Sequence, residues 1–417
     1  MIEKNILSNG VTLMSEYLPH LQSAAVGVWT LAGAVDERLP GAPAGISHLI
    51  EHMLFKGTAI RSAKDIAEDV DRMGGVINAF TGKEATCYYI KTLSEHIRES
   101  IDLLGDIFLH SVFDEAELSK EKSVIYEEMS MIEDSPEDYG HDLLDEAIFA
   151  GSPLGNRIIG YKDTVGAVSS GAIRGYIADR YVGGNVVISV AGNFASNELV
   201  NLVEAAFGGV PPGRRPRSVA DAAHSPTFLS RAKDIEQSHI FLGRRGVNFA
   251  SDDYYAFILF NSILGGSMSS RLFQSIREEK GLAYSVYSMS NSYVDDGVFI
   301  IYAGVGEGNE RVTVEAIREE TERLSYGGVD PDELAKVKEQ SKGVYVFGRE
   351  NVQTRMFAAG KNELLLGKVF EPDEIIAGID AVTPDDISRL AKECADIARY
   401  SAVIIGKHEL AAEAVGL

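Results

Sequence analysis

Apolar residues in this chain recur with two alternating periods. Segments such as AAVGVWTLAG, from Ala24, and INAFTGKEATCYYIKTL, from Ile77, change polarity at every second residue and predict half-buried strands. SEHIRESIDLLGDIFLHS, from Ser94, repeats its apolar positions every three or four residues and predicts a helix. So does AELSKEKSVIYEEMSMIED, from Ala116, where Leu118, Val124, Ile125, Met129 and Ile132 form the expected apolar stripe. Long strands with glycine-marked turns, separated by such helices, predict an α+β fold with helices packed on one face of a mainly antiparallel sheet.

The pattern occurs twice. DEAELSKEK from Asp114 parallels DPDELAKVK from Asp330, and AVSSGAIRGYIADRY from Ala167 parallels AVTPDDISRLAKECA from Ala381. VVISVAGN, ending at Asn193, parallels YSAVIIGK, ending at Lys407. The three pairs keep one order and nearly one offset, which predicts two homologous tandem domains. Residues 208–228, GGVPPGRRPRSVADAAHSPTF, have linker composition, so the domains are expected at 1–207 and 229–417. A chain of 417 residues accommodates two such units.

Composition narrows the function classes. Thirty-nine basic against 62 acidic residues give a net charge of −23, which disfavours nucleic acid and anionic membranes and suits a basic peptide. No apolar run approaches the ~18 residues of a membrane span. The opening MIEKNILSNGVTLMSEYL reads as strand and lacks the pattern of a secretory signal, so a cytoplasmic location is expected. Cys87 and Cys394 stand far apart and outside any CxxC pairing, which argues against disulfides and thiolate zinc sites.

GISHLIEHMLFK, residues 45–56, concentrates the chemistry. Ile46, Leu49, Ile50, Met53 and Leu54 have helical spacing, which puts His48 and His52 one turn apart on one face. Two imidazoles so placed can bind one Zn²⁺ at about 2.0–2.1 Å. Glu51 lies on the same side, where it can take a proton from an attacking water without being a ligand. The order HxxEH inverts the HExxH of the zincins. A buried or solvated histidine pair is the competing reading of the motif alone. A third ligand is sought on the helix from Ala116, where Glu121 and Glu128 are two turns apart and share a face, while Glu127 points about 100° away. By itself that face also reads as solvated.

HLIEHMLFKGT followed by SVIYEEMSMIEDSPED resembles the pitrilysin/insulinase family of inverted-motif zinc peptidases, and within it the mitochondrial processing peptidase branch. The resemblance implies one zinc per chain held by His48, His52 and Glu128, the last standing in the EEM of the second segment. It implies Glu51 as general base and Glu121 as a residue orienting a histidine. It also implies an Arg/Tyr pair from the half without metal, matched by Arg277 and Tyr284 in SRLFQSIREEKGLAYSVYS; alone these read as a surface arginine and a core tyrosine. The second half cannot repeat the metal set, because Val337 and Val344 stand at the repeat positions of Glu121 and Glu128. The strand through Asn78, Ala79 and Phe80 would bind an extended substrate by strand addition, or be an ordinary sheet edge. Members of this length close their chamber by dimerising, which implies a homodimeric metalloendopeptidase acting on oligopeptides or unfolded leader segments. The alternative is a non-catalytic or partner-dependent subunit of a heterodimer. Cobalt or manganese would fit the same ligands.

Overall fold

A computed structural model describes residues 2–37, 42–217 and 223–417; positions 218–222 of the expected linker lie outside the described residues. The first half of the chain forms β1 (Ile2–Ile6), β2 (Thr12–Tyr17), β3 (Ser23–Thr30), α1 (Ile46–Leu54), α2 (Ala63–Arg72), β4 (Val76–Thr81) and β5 (Thr86–Leu93). There follow α3 (Ile97–His110), α4 (Glu115–Asp134), α5 (Pro136–Ile148), α6 (Lys162–Gly166), α7 (Ser170–Arg180), β6 (Val186–Gly192) and α8 (Ser196–Phe207). The second half begins β7 (Phe228–Ala232), β8 (Gln237–Arg245), α9 (Tyr254–Leu264), a π-helical turn (Phe273–Glu279), β9 (Ala283–Ser292) and β10 (Gly297–Gly306). It ends α10 (Glu310–Gly327), α11 (Pro331–Arg349), α12 (Val352–Leu366), α13 (Pro372–Ala381), α14 (Pro384–Cys394) and β11 (Ser401–Gly406).

Two sheets result, built on one plan. The first has the order β1-β2-β6-β3-β5-β4 and the second β7-β11-β8-β10-β9. Each holds one parallel pair, β2 with β6 and β7 with β11, and is otherwise antiparallel. Matched strand for strand among the described residues, the second sheet lacks only a counterpart of β1. The fold is α+β, as the alternating periods predict.

The compact units follow the chain less simply than two consecutive segments. The first comprises Met1–Ser130, Asn156–Ala220 and Val346–Phe370; the second comprises Met131–Gly155, Asp221–Tyr345 and Glu371–Leu417. Helix α12, from the second half, therefore belongs with the first sheet, and α5, from the first half, with the second. In the first unit Tyr88 of β5 meets Phe108 of α3 on one sheet face, at 6.3 Å between rings. Trp29 and Gly27 of β3 face the other way, where α12 lies. Strand β6 is buried along its whole length because both its faces are covered.

Both exchanged helices lie close to their sheets, and glycine makes the approach possible. A Cβ at Gly27 would come within 2.3 Å of Met356 Sδ on α12, and one at Gly243 of β8 within 2.7 Å of Leu144 Cδ2 on α5. These two glycines are equivalent positions of the repeat, at the same offset as Asp114 and Asp330. On α12 itself, a Cβ at Gly360 would lie 2.2 Å from Trp29 Nε1 and 2.7 Å from Ser189 Oγ. It would wedge apart the Trp29 Nε1–Ser189 Oγ hydrogen bond of 3.1 Å. Gly360→Ala is expected to cost about 1–3 kcal/mol by overpacking, despite alanine's better helix propensity. Denaturant unfolding followed by the fluorescence of Trp29, the chain's one tryptophan, measures it.

On α4 the apolar stripe differs from the expected one. Leu118, Ile125 and Met129 are buried, but Val124 is 49% exposed and Glu121 takes the remaining stripe position at 5%. Positions 118, 121, 125 and 129 follow the helical period, and Val124 falls one residue off it.

Candidate metal centre

Helix α1 exists because Ile46, Leu49, Ile50, Met53 and Leu54 are at most 1% exposed and bury one face into the core of the first unit. The opposite face carries His48, Glu51 and His52, each partly exposed. Gly45 caps the helix at φ +89°, where a Cβ would lie 2.6 Å from the Ile159 carbonyl oxygen; only glycine fits.

Helix α4 brings its carboxylates to this face. Glu128 Oε2 stands 3.8 Å from His48 Nε2 and 3.7 Å from His52 Nε2. One ligand atom from each of His48, His52 and Glu128 lies within 4.8 Å of the other two. Ligands about 2.05 Å from a tetrahedral zinc are ~3.3 Å apart, and the two Glu128 contacts stand within about half an ångström of that spacing. The donors, two imidazole nitrogens and one carboxylate, are those of an open zinc site. Burial, with His52 adding to it, holds His48 down to about 4, in the neutral form that ligates metals.

Two further predicted residues of this unit, Glu121 and Glu51, lie beside the triad. Glu121 Oε2 meets His52 Nδ1 at 3.2 Å, and its other oxygen meets Lys56 Nζ at 2.7 Å. Glu51 does not join the triad; Thr81 Oγ1 donates to its Oε2 at 2.5 Å. Burial raises the Glu51 carboxyl above its ordinary range, with the Thr81 bond opposing. Thr81 and Lys56 are partners that sequence reading did not single out. The signal for Thr81 was present, since it shares a strand face with Ala79 and Ile77.

Two family models match the chain. One, described as insulinase (peptidase family M16), covers residues 12–162; the other, described as the peptidase M16 inactive domain, covers 167–341. A relative from Bacillus subtilis, named uncharacterized zinc protease YmxG, is 44% identical over 393 residues, 94% of this chain and 95% of the relative. The chain belongs to the M16 peptidase family. Another zinc protease so named, from Streptomyces coelicolor, is 36% identical over 94% of this chain and 87% of its own length. In fold, the chain is similar to a protease from Helicobacter pylori, with a TM-score of 0.89 at 22% identity over 97% of this chain and 99% of the other. A peptidase M16 inactive domain from Pseudomonas fluorescens gives a TM-score of 0.90 at 18% identity, over 98% of each chain.

The M16 fold places the other predicted residues as follows. Strand β4 ends the first sheet, so one side of its backbone is paired with no strand among the described residues. Its residues alternate: Ile77, Ala79 and Thr81 on the face of Glu51, Val76, Asn78 and Phe80 on the other, where Phe80 packs against Trp29 at 5.6 Å and Phe357 at 5.5 Å. Asn78 Oδ1 accepts from the Ala79 N–H at 2.8 Å. Arg277 and Tyr284 lie in the second unit and meet each other. The guanidinium stacks over the Tyr284 ring at 5.5 Å and over Phe273 at 4.8 Å. Tyr284 is 76% exposed, so it is no core tyrosine, and Arg277 sits in a π-helical turn, a distortion that recurs at functional sites. On α11, Val337 is buried and Val344 exposed, with no carboxylate at either place.

Proposed function

We propose that this M16 chain is a zinc metalloendopeptidase that hydrolyses extended peptides. The observation that carries the reading is the Thr81–Glu51 hydrogen bond: it ties the base beside the His48–His52–Glu128 set to the free edge strand β4. A substrate added along β4 then runs past Glu51 with its backbone paired and its sequence largely unread. The Ala79 N–H, bonded to Asn78 Oδ1, is a donor that a substrate carbonyl would take over.

His48, His52 and Glu128 would hold the metal, and zinc there supplies a Lewis acid for the scissile carbonyl. Glu51 takes a proton from the attacking water and returns it to the leaving amine. Its raised affinity for that proton suits both transfers. Thr81 holds the carboxylate in place through one oxygen and leaves the other for the water. Glu121, fixed by Lys56, accepts from His52 Nδ1–H and leaves Nε2 as the donor to metal. Glu121→Gln is accordingly expected to lower zinc affinity about 10–100-fold, read by competition with a chromophoric chelator. Arg277 and Tyr284 would hold the substrate carbonyl and donate to the developing oxyanion. The charge of −23 favours basic peptides, and a homodimer would close the chamber that excludes folded proteins. Sedimentation of the purified chain reads its subunit number directly.

The test is cleavage of a basic, internally quenched peptide by the purified chain. Cleavage that a chelator stops and added zinc restores supports the reading. A chain that binds one zinc yet cleaves nothing alone favours a partner-dependent subunit instead.

A further inference from the structure

The two histidines of the triad are supported unequally. His52 has Glu121 on its Nδ1, with Lys56 behind it. His48 Nδ1 is buried and meets no hydrogen-bonding group among the described residues. A ligating imidazole ordinarily has its second nitrogen held. With no hydrogen bond on that nitrogen, the His48 ring is held by packing, edge-on to His52 at 4.7 Å between centroids, and by the backbone of the first turn of α1 that carries it.

That turn is gripped by a buried carboxylate. Glu37 is 4% exposed, and its oxygens accept from the Gly45 N–H at 2.7 Å and the Ser47 N–H at 2.9 Å. These two donors, at the N-cap and second residue of α1, bracket the turn that presents His48, and they are among the N–H groups a helix leaves unpaired. The Ser47 hydroxyl continues the contact to Tyr176 Oη at 2.9 Å, both side chains being buried. Tyr176 lies one turn before Arg180 on α7, and Arg180 pairs at 3.2 Å with Asp36, the neighbour of Glu37. Arg217 also bonds Asp36, and Asn156 Nδ2 donates to the Glu37 carbonyl at 3.3 Å. Glu37 is thus fixed from both sides before it grips α1. The same two bonds cap α1, whose N-cap glycine offers no side-chain acceptor of its own, so they fix the turn as well as stabilise it.

We propose that Glu37, with Ser47 and Tyr176, is the positioning group for His48, setting through the backbone what Glu121 sets for His52 through the ring. The proposal rests on the metal-site reading above. A glutamine at 37 keeps one acceptor but turns an amide N–H₂ toward a backbone donor, so one of the two bonds is lost and the turn shifts. The reach involved is a single turn, and a ligand displaced by about half an ångström is enough to degrade a metal site.

Cobalt(II) is the probe, because its visible spectrum reports ligand geometry as well as occupancy. Wild type, Glu37→Gln and Tyr176→Phe are titrated with cobalt, and zinc affinity is then read by displacement. Glu37→Gln is expected to bind both metals about 10–100-fold more weakly and to show a shifted spectrum at saturation. Tyr176→Phe, which removes one hydroxyl, is expected to lose about 2–10-fold. A role confined to stability would lower the unfolding midpoint and leave the saturated spectrum as in wild type. Wild-type affinity and spectrum in Glu37→Gln overturn the proposal. If that variant does not fold, the same result in Tyr176→Phe overturns it. A wild-type chain that binds no cobalt overturns the metal-site reading itself, which separates the two failures.

Discussion

Glu51→Gln is expected to lower peptide hydrolysis about 10²–10⁴-fold while leaving zinc affinity within a few-fold of wild type. The substitution is nearly isosteric, and the Thr81 hydroxyl can still donate to the amide oxygen, so the side chain keeps its place. What disappears is the capacity to take a proton. Because Glu51 lies outside the set that converges on the metal position, occupancy should not follow activity down. Steady-state kinetics on a quenched peptide, with zinc content measured on the same sample, separate the two quantities. Parallel loss of zinc and activity would instead make Glu51 a ligand or a structural residue.

Glu128→Ala is expected to have the opposite signature, losing metal and activity together. With the carboxylate gone, only two imidazoles remain, and zinc affinity should fall by about 10³-fold or more, beyond the 10–100-fold typical of removing an outer partner. Glu127→Ala is the internal control. Glu127 is the adjacent carboxylate on α4, but it is exposed and points about 100° away. Its removal should leave affinity unchanged. Equal effects at 127 and 128 would contradict the arrangement of α4 described above.

Much of the site could be read from sequence because its geometry is local. His48, Glu51 and His52 share a helix, and helical periodicity alone puts them on one side. Glu121 and Glu128 share another, and family resemblance joined the two helices through the spacing of their motifs. The stripe of α4 was read wrongly at Val124 and Glu121, because a carboxylate at a buried position contradicts binary patterning unless its partners are known. Those partners, His52 and Lys56, come from a different helix and the residues just after it. Glu37 and Tyr176 were invisible for the same reason: each acts through a contact that only tertiary packing makes, ten positions along the chain for Glu37 and 129 for Tyr176.

The domain plan shows the same limit. The internal repeat predicts two related sheets, and their strand orders match. Periodicity says that α5 and α12 each have a face to bury, but not which sheet receives it, and each goes to the sheet of the other half. Gly27 and Gly243 recorded that packing at equivalent repeat positions, yet a single glycine in a strand pattern signals only a close approach, not its partner.

The most direct test is anomalous diffraction at the zinc edge from crystals of the zinc-loaded chain. The account predicts one peak per chain, bonded by His48 Nε2, His52 Nε2 and a Glu128 oxygen, with Glu51 near but unbonded. No peak at that position, or a peak bonded by a different set of residues, would contradict it.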